Sequence, residues 1–169
     1  MNSGGLRADL LFAALPGAPE ANGELTYGEV FAVLPFGNAT VVETVTGAQL
    51  TTALLNGFRP ACGDVAGGTG RTPQVSGLRI RFTCNGTTPV ITELAKAPPG
   101  GAVTPIGPTD TVRIVTNDFM FAGGDGYTAL SGGTDVLQTG ELLLDVVIDY
   151  ITANSPVSAA VEGRFLRTP

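Results

Sequence analysis

The sequence predicts an α+β domain, a mixed β-sheet with flanking helices, and three observations lead there. Two capping boxes, Thr26-Tyr-Gly-Glu29 and Thr46-Gly-Ala-Gln49, each open a segment of helical character. Four stretches, 40–46, 78–83, 90–94 and 111–116, are rich in β-branched residues or alternate apolar with polar. The order of these segments lacks the regular βαβ repetition of a parallel α/β fold. A length of 169 residues, 43% of them hydrophobic, suits one domain with a substantial core spanning the whole of residues 1–169.

The first helix is expected from the Thr26 box to about Ala32, stopped by Pro35. The strand Thr40 to Thr46 leads directly into the second box, and the helix that follows carries Leu50, Ala53, Leu54 and Phe58, with Gly57 placed to end it. Leu78-Arg79-Ile80-Arg81-Phe82-Thr83 alternates as a half-buried strand should. It is expected to pair with Val90 to Leu94 in a hairpin around Asn85-Gly86. Arg79 and Arg81 then leave one face of that strand while Leu78, Ile80 and Phe82 leave the other; they read as solvated arginines with no assigned role. Pro98 to Pro108 has the composition of a surface loop, and Thr111 to Thr116 reads as a further strand. A last helix is expected from about Gly140 to Ala153, with Leu143, Val146, Val147, Tyr150 and Ile151 on one face.

Composition removes several functions. Without any histidine, Ser-His-Asp and Cys-His nucleophile systems and mixed Cys/His metal sites are excluded. A net charge of -6 points away from nucleic-acid phosphate as a partner. No apolar run is long enough to span a bilayer; Leu10 to Leu15 is too short for that or for a signal-peptide core. The glycine-rich stretch from Gly63 to Thr72 imitates a phosphate loop, but Arg71 stands where Lys is needed and Val65 where the first Gly is needed. It reads as a flexible loop.

The richest stretch is Thr116-Asn-Asp-Phe119-Met-Phe-Ala-Gly123-Gly124-Asp125-Gly-Tyr127. It sets a ring and a carboxylate on either side of a paired-glycine turn, which suits a planar ligand bearing hydroxyl groups; a glycine turn between core elements is the structural alternative. Together with Asn2-Ser-Gly-Gly-Leu-Arg7, Leu34-Pro-Phe36-Gly-Asn38 and Val161-Glu-Gly-Arg164, it resembles the C-terminal domain of the 5'-nucleotidase family. That family includes secreted UDP-sugar hydrolases and cyclic-nucleotide phosphodiesterases. The resemblance keeps its order from residue 2 to about residue 165. Its start at residue 2 implies a piece of a longer protein, whose N-terminal metallophosphatase domain lies outside this chain.

The resemblance implies a substrate-binding role. Phe36 and Phe119 match the two rings that stack the base, and base–aromatic stacking contributes roughly 1–3 kcal/mol per base. Phe121 competes with Phe119 but has the wrong offset from the glycine pair. Asp125 matches the carboxylate that holds the ribose hydroxyls, although an Asp here also suits bonding its own turn. Asn2 matches a residue that bonds the base, Arg7 an arginine near ribose and phosphate, and Gly77 a glycine whose backbone lies near the base. For each, packing, capping or a surface ion pair with Asp9 is the structural alternative.

No catalytic residue is expected in this chain. The resemblance places two divalent metal ions in the absent N-terminal domain, where they clamp the attacking and leaving oxygens. The isolated chain is therefore expected to be inactive although its parent is a phosphoric monoester hydrolase. The expected partners are a nucleoside or nucleotide and that N-terminal domain. A non-catalytic surface module that kept the fold is the alternative, and a stand-alone hydrolase conflicts with the missing ligands. Cys62 and Cys84 are the only cysteines, either bonded or free. The resemblance to a secreted family and the sequons at Asn38 and Asn85 favour the disulfide, and the resemblance implies an extracellular, periplasmic or cell-surface location.

Overall fold

The structure, a computed structural model, describes residues 1–14, 17, 20–66, 70–158 and 160–169. Parts of the Gly63–Thr72 loop and the end of the Leu10–Leu15 run lie outside the described residues. The elements in order are α1 (Tyr27–Val33), β1 (Ala39–Thr46), α2 (Gly47–Phe58), β2 (Leu78–Asn85), β3 (Thr88–Lys96), β4 (Thr104–Pro105), β5 (Thr111–Asn117), α3 (Asp118–Phe121), β6 (Thr134–Leu142), α4 (Leu143–Asn154) and β7 (Phe165–Arg167). Single 3-10 turns follow α2 at Arg59–Cys62 and follow α3 at Gly124–Gly126 and Leu130–Gly132.

Two sheets share one core. One is antiparallel with the order β5-β1-β6; the other runs β4-β3-β2-β7, with β7 parallel to β2. Both capping boxes form as the sequence implies: Thr26 and Glu29 exchange bonds at the start of α1, and Thr46 and Gln49 at the start of α2. Leu50, Ala53, Leu54 and Phe58 of α2 join Val45 and Val112 of the first sheet to Leu78, Ile80 and Phe82 of the second in a single buried cluster. The rings of Phe58 and Phe82 stack 4.4 Å apart. A smaller cluster joins Val30, Val33 and Leu34 of α1 to Leu144 of α4.

Four expectations are corrected. Gly57 does not end α2 but lies inside it, because a side chain there would collide with Pro73 and with the Tyr127 hydroxyl. The chain leaves the helix through the 3-10 turn, which Gly63 closes with a φ of 91°. The loop from Pro98 to Pro108 contains β4, bonded to β3, and buries Ile106. Residues from Gly140 to Leu142 belong to β6, a strand that sequence reading missed: Gly140 has a φ of 77°, outside the helical region. The packed stripe of α4 comprises Leu143, Leu144, Val147 and Ile148, while Tyr150 faces solvent.

Cys62, at the end of the 3-10 turn, is bonded to Cys84 on β2, with their Cα atoms 5.5 Å apart. The bond ties the end of α2 to the second sheet.

Candidate functional site

The antiparallel register explains why distant motifs meet. Thr40 at the start of β1 lies opposite Asn117 at the end of β5. The loop entering β1, with Phe36 and Asn38, and the turn leaving β5, with Phe119, must therefore emerge at the same end of the sheet. The opening segment comes to the same place because Asn2 forms a two-way backbone bridge with Gln74, at 3.0 and 2.6 Å. The Arg7 amide continues the attachment by donating to the Val33 carbonyl at 2.9 Å.

A cavity of about 170 Å³ opens at this end, lined by Asn2, Ser3, Gly4, Gly5, Arg7, Phe36, Asn38, Asn117, Phe119 and Asp125. Both rings are about half exposed, Phe36 at 45% and Phe119 at 48%, which core phenylalanines are not. Pockets that enclose a whole drug-sized ligand run to roughly 300–1,000 Å³. A cavity of this size suits a ring-sized fragment, with the rest of the molecule outside.

Polar side chains hold the walls in place. Asn117 caps α3 by accepting from the Met120 amide at 2.8 Å, while its Nδ2 donates to Asn2 Oδ1 at 2.9 Å. Asn38 Nδ2 donates to Asp118 Oδ1 at 2.8 Å, and the same oxygen accepts from the Phe119 amide at 2.8 Å. The two ring-bearing loops are thus bonded to each other. Ser3, almost fully buried, donates from Oγ to Asp125 Oδ2 at 3.3 Å. The Arg7 guanidinium lies over the Phe36 ring, 5.1 Å from its centroid.

The glycine pair has two separate jobs. Gly123 takes a φ of 90°, which turns the chain, whereas Gly124 makes room: a Cβ on it would stand 2.5 Å from the Phe119 ring. Asp125 follows with a φ of 53°, a left-handed conformation that Asp tolerates better than most residues. Asn56 of α2 holds that backbone by donating to the Asp125 carbonyl at 2.9 Å. Tyr127, fully buried, anchors the other side by donating to the Arg71 carbonyl at 2.5 Å. Burial, with a lesser contribution from the Asp125 charge, pushes its phenol well above the usual range.

These motifs converge in a chain whose residues 1–132 match the family model described as 5'-nucleotidase, C-terminal domain. The chain belongs to that family. As a 5'-nucleotidase C-terminal domain it is similar to the trifunctional nucleotide phosphoesterase protein YfkN of Bacillus subtilis. The two are 33% identical over 96% of this chain and 10% of that protein. The snake venom 5'-nucleotidase of Naja atra is 29% identical over 98% of the chain and 30% of its own length. Among solved structures, the 5'-nucleotidase precursor from Thermus thermophilus superposes with a TM-score of 0.79 and 31% identity, over 98% of this chain and 30% of that one. The chain thus spans about a tenth to a third of the length of these relatives.

Of the residues singled out in sequence, Asn2, Arg7, Phe36, Phe119 and Asp125 line this one cavity of the 5'-nucleotidase C-terminal domain. Gly77 does not; it lines a neighbouring cavity with Ser76, Leu78 and Lys96. Phe121 is also absent from the lining. Sequence reading passed over Ser3, Asn38, Asn117 and Asn56. The first three stand inside the motifs quoted for the family, where small polar residues beside glycine are the available signal; Asn56 had none. Among the described residues no group of three or more His, Cys, Asp or Glu side chains is placed to hold a metal ion. No helix among them is long and apolar enough to cross a membrane.

Proposed function

We propose that this chain is the nucleoside- or nucleotide-binding part of a 5'-nucleotidase-type, metal-dependent phosphoester hydrolase. In this reading the base stacks between Phe36 and Phe119, Asp125 accepts the ribose hydroxyls, Asn2 bonds the base edge and Arg7 meets the phosphate side. The supporting observation is the meeting of two half-exposed rings, a carboxylate, an arginine and an amide around one ring-sized cavity, in a family member. Each group has the chemistry its role needs: π faces for the base, a pure acceptor for hydroxyl groups, a fixed cation for an anion. The asparagine amides supply donor and acceptor together, as a base edge requires.

Chemistry would come from a metallophosphatase domain joined before this one, and the parent would work outside the cytoplasm, as the venom relative's name indicates for that enzyme. Purified alone, the chain should release no phosphate from AMP above buffer rate with Mn²⁺, Zn²⁺ or Co²⁺ present. The deciding experiment is an NMR titration with adenosine and AMP. Saturable shifts at Phe36, Phe119 and Asp125, with a dissociation constant in the micromolar-to-millimolar range of about -4 to -8 kcal/mol, are expected. Asp125→Ala should weaken adenosine more than 2',3'-dideoxyadenosine. Saturating nucleoside with no shift at these residues would overturn the assignment.

A further inference from the structure

The outer face of the β4-β3-β2-β7 sheet gathers positive charge in an acidic chain. Arg79 and Arg81, two apart on β2, leave the sheet on the side away from Leu78, Ile80 and Phe82. β7 lies parallel to β2 with Phe165 opposite Ile80, which brings the preceding Arg164 alongside. All three arginines line one cavity of about 300 Å³ together with Ser76 and Gly77. Lys96 borders the adjoining cavity, which shares Ser76, Gly77 and Leu78 as a wall. Three of the nine Lys and Arg residues therefore line one cleft, although the net charge is -6. This region has no lining residue in common with the cavity of Phe36 and Phe119.

The charges here are incompletely balanced. Arg79 pairs with Glu93, and Arg164 Nε pairs with Glu162 Oε2 at 2.7 Å. Arg81 pairs with no carboxylate among the described residues; its Nη1 donates to the carbonyls of Ile80, at 3.2 Å, and Gly163, at 3.0 Å. Carbonyl groups orient a guanidinium without neutralising it. A half-buried cation without a counter-ion is unfavourable, and an incoming anion relieves it. Arg81 is thus held in a fixed pose with charge to spare, in one cleft with two arginines whose carboxylates are partly or well exposed.

We propose that this cleft binds a small oxyanion, a phosphate ion or the phosphoryl group of a monoester, with Arg81 as principal ligand and Arg79 and Arg164 as further lining cations. The guanidinium fork matches two oxygens of such a group. The Ser76 hydroxyl supplies a further donor at the rim.

The test is an NMR titration of the chain with inorganic phosphate and, separately, with glycerol 2-phosphate, which has no base to enter the other cavity. Ionic strength is held constant with chloride. Saturable shifts at the Arg81 Nε–H and at the amides of Ser76, Gly77 and Gly163 are expected, with a dissociation constant of about 1–10 mM. Binding of both probes identifies a cleft open to phosphate monoesters; binding of phosphate alone identifies one that admits only the free ion. Arg81→Gln should weaken binding at least about fivefold. Glu162→Gln removes a competing exposed carboxylate without touching the core and should tighten binding about twofold. Glu162→Gln alone decides the matter if Arg81→Gln fails to fold. Shifts that do not saturate, that chloride reproduces, or that Glu162→Gln leaves unchanged would overturn the proposal.

Discussion

The Arg7 guanidinium rests 5.1 Å from the centre of the Phe36 ring, at the mouth of the cavity that both residues line. The contact holds a permanent cation beside an aromatic face without consuming its hydrogen-bond donors. An anionic group on a ligand can then meet those donors while the ligand's ring uses the aromatic walls. Arg7→Ala should therefore weaken AMP binding by about 1–2 kcal/mol, roughly 5–30-fold. Adenosine, which lacks the phosphate, should lose about twofold or less. Calorimetric titration of both ligands against both proteins checks this, and equal losses would remove Arg7 from the phosphate side.

Gly124 lies against the Phe119 ring so closely that a methyl group cannot be added without moving the ring. Gly124→Ala should displace Phe119 and weaken adenosine by roughly 1–3 kcal/mol, close to the loss from Phe119→Ala. The two substitutions together should cost little more than either alone, since both act on the same ring. A double-mutant cycle that gives simple additivity would separate Gly124 from the ring.

Glu43 is the unusual residue of the core. It is fully buried on β1, neither carboxylate oxygen has a hydrogen-bond partner among the described residues, and Gly133 packs against it so tightly that no side chain fits there. Desolvation pushes its carboxyl up to about 7 from an ordinary 4.5. The folded state therefore binds the proton more tightly than the unfolded state. Its contribution to stability is full below about pH 4.5 and is lost as pH rises towards 7, by up to about 3 kcal/mol. Denaturant unfolding at a series of pH values should show this slope, and Glu43→Gln should flatten it. An identical slope in the variant would assign the pH dependence to other groups.

The bond between Cys62 and Cys84 joins positions 22 residues apart, at the end of α2 and on β2. The chain-entropy model gives roughly 3 kcal/mol for such a loop. Reduction under native conditions should lower unfolding stability by about that amount, and thiol titration of unreduced, denatured protein should find no free cysteine. Two free thiols would reject the bond.

Several features were legible in sequence because their causes are local. The Thr26 and Thr46 boxes are contacts between residues three apart, and each forms with the partners that the spacing implies. The hairpin of β2 and β3 follows from alternation and from Asn85-Gly86, whose Gly86 takes a φ of 59°. The family motifs singled out five of the residues that line the cavity, Asn2, Arg7, Phe36, Phe119 and Asp125.

Other features depend on contacts between residues far apart in the chain, and only the tertiary structure decided them. Gly57 looks like a helix stop until Pro73 and Tyr127 are packed against it. β6 has no clear alternation because nearly all of its residues are exposed, and its strand character comes from pairing with β1. The place of Gly77 outside the ring-lined cavity was equally invisible. The cavity itself exists because antiparallel pairing sets Thr40 opposite Asn117, bringing the loop of Phe36 and the turn of Phe119 to one end of a sheet. Residue types declare what chemistry a side chain can offer; strand register decides which side chains offer it to the same ligand.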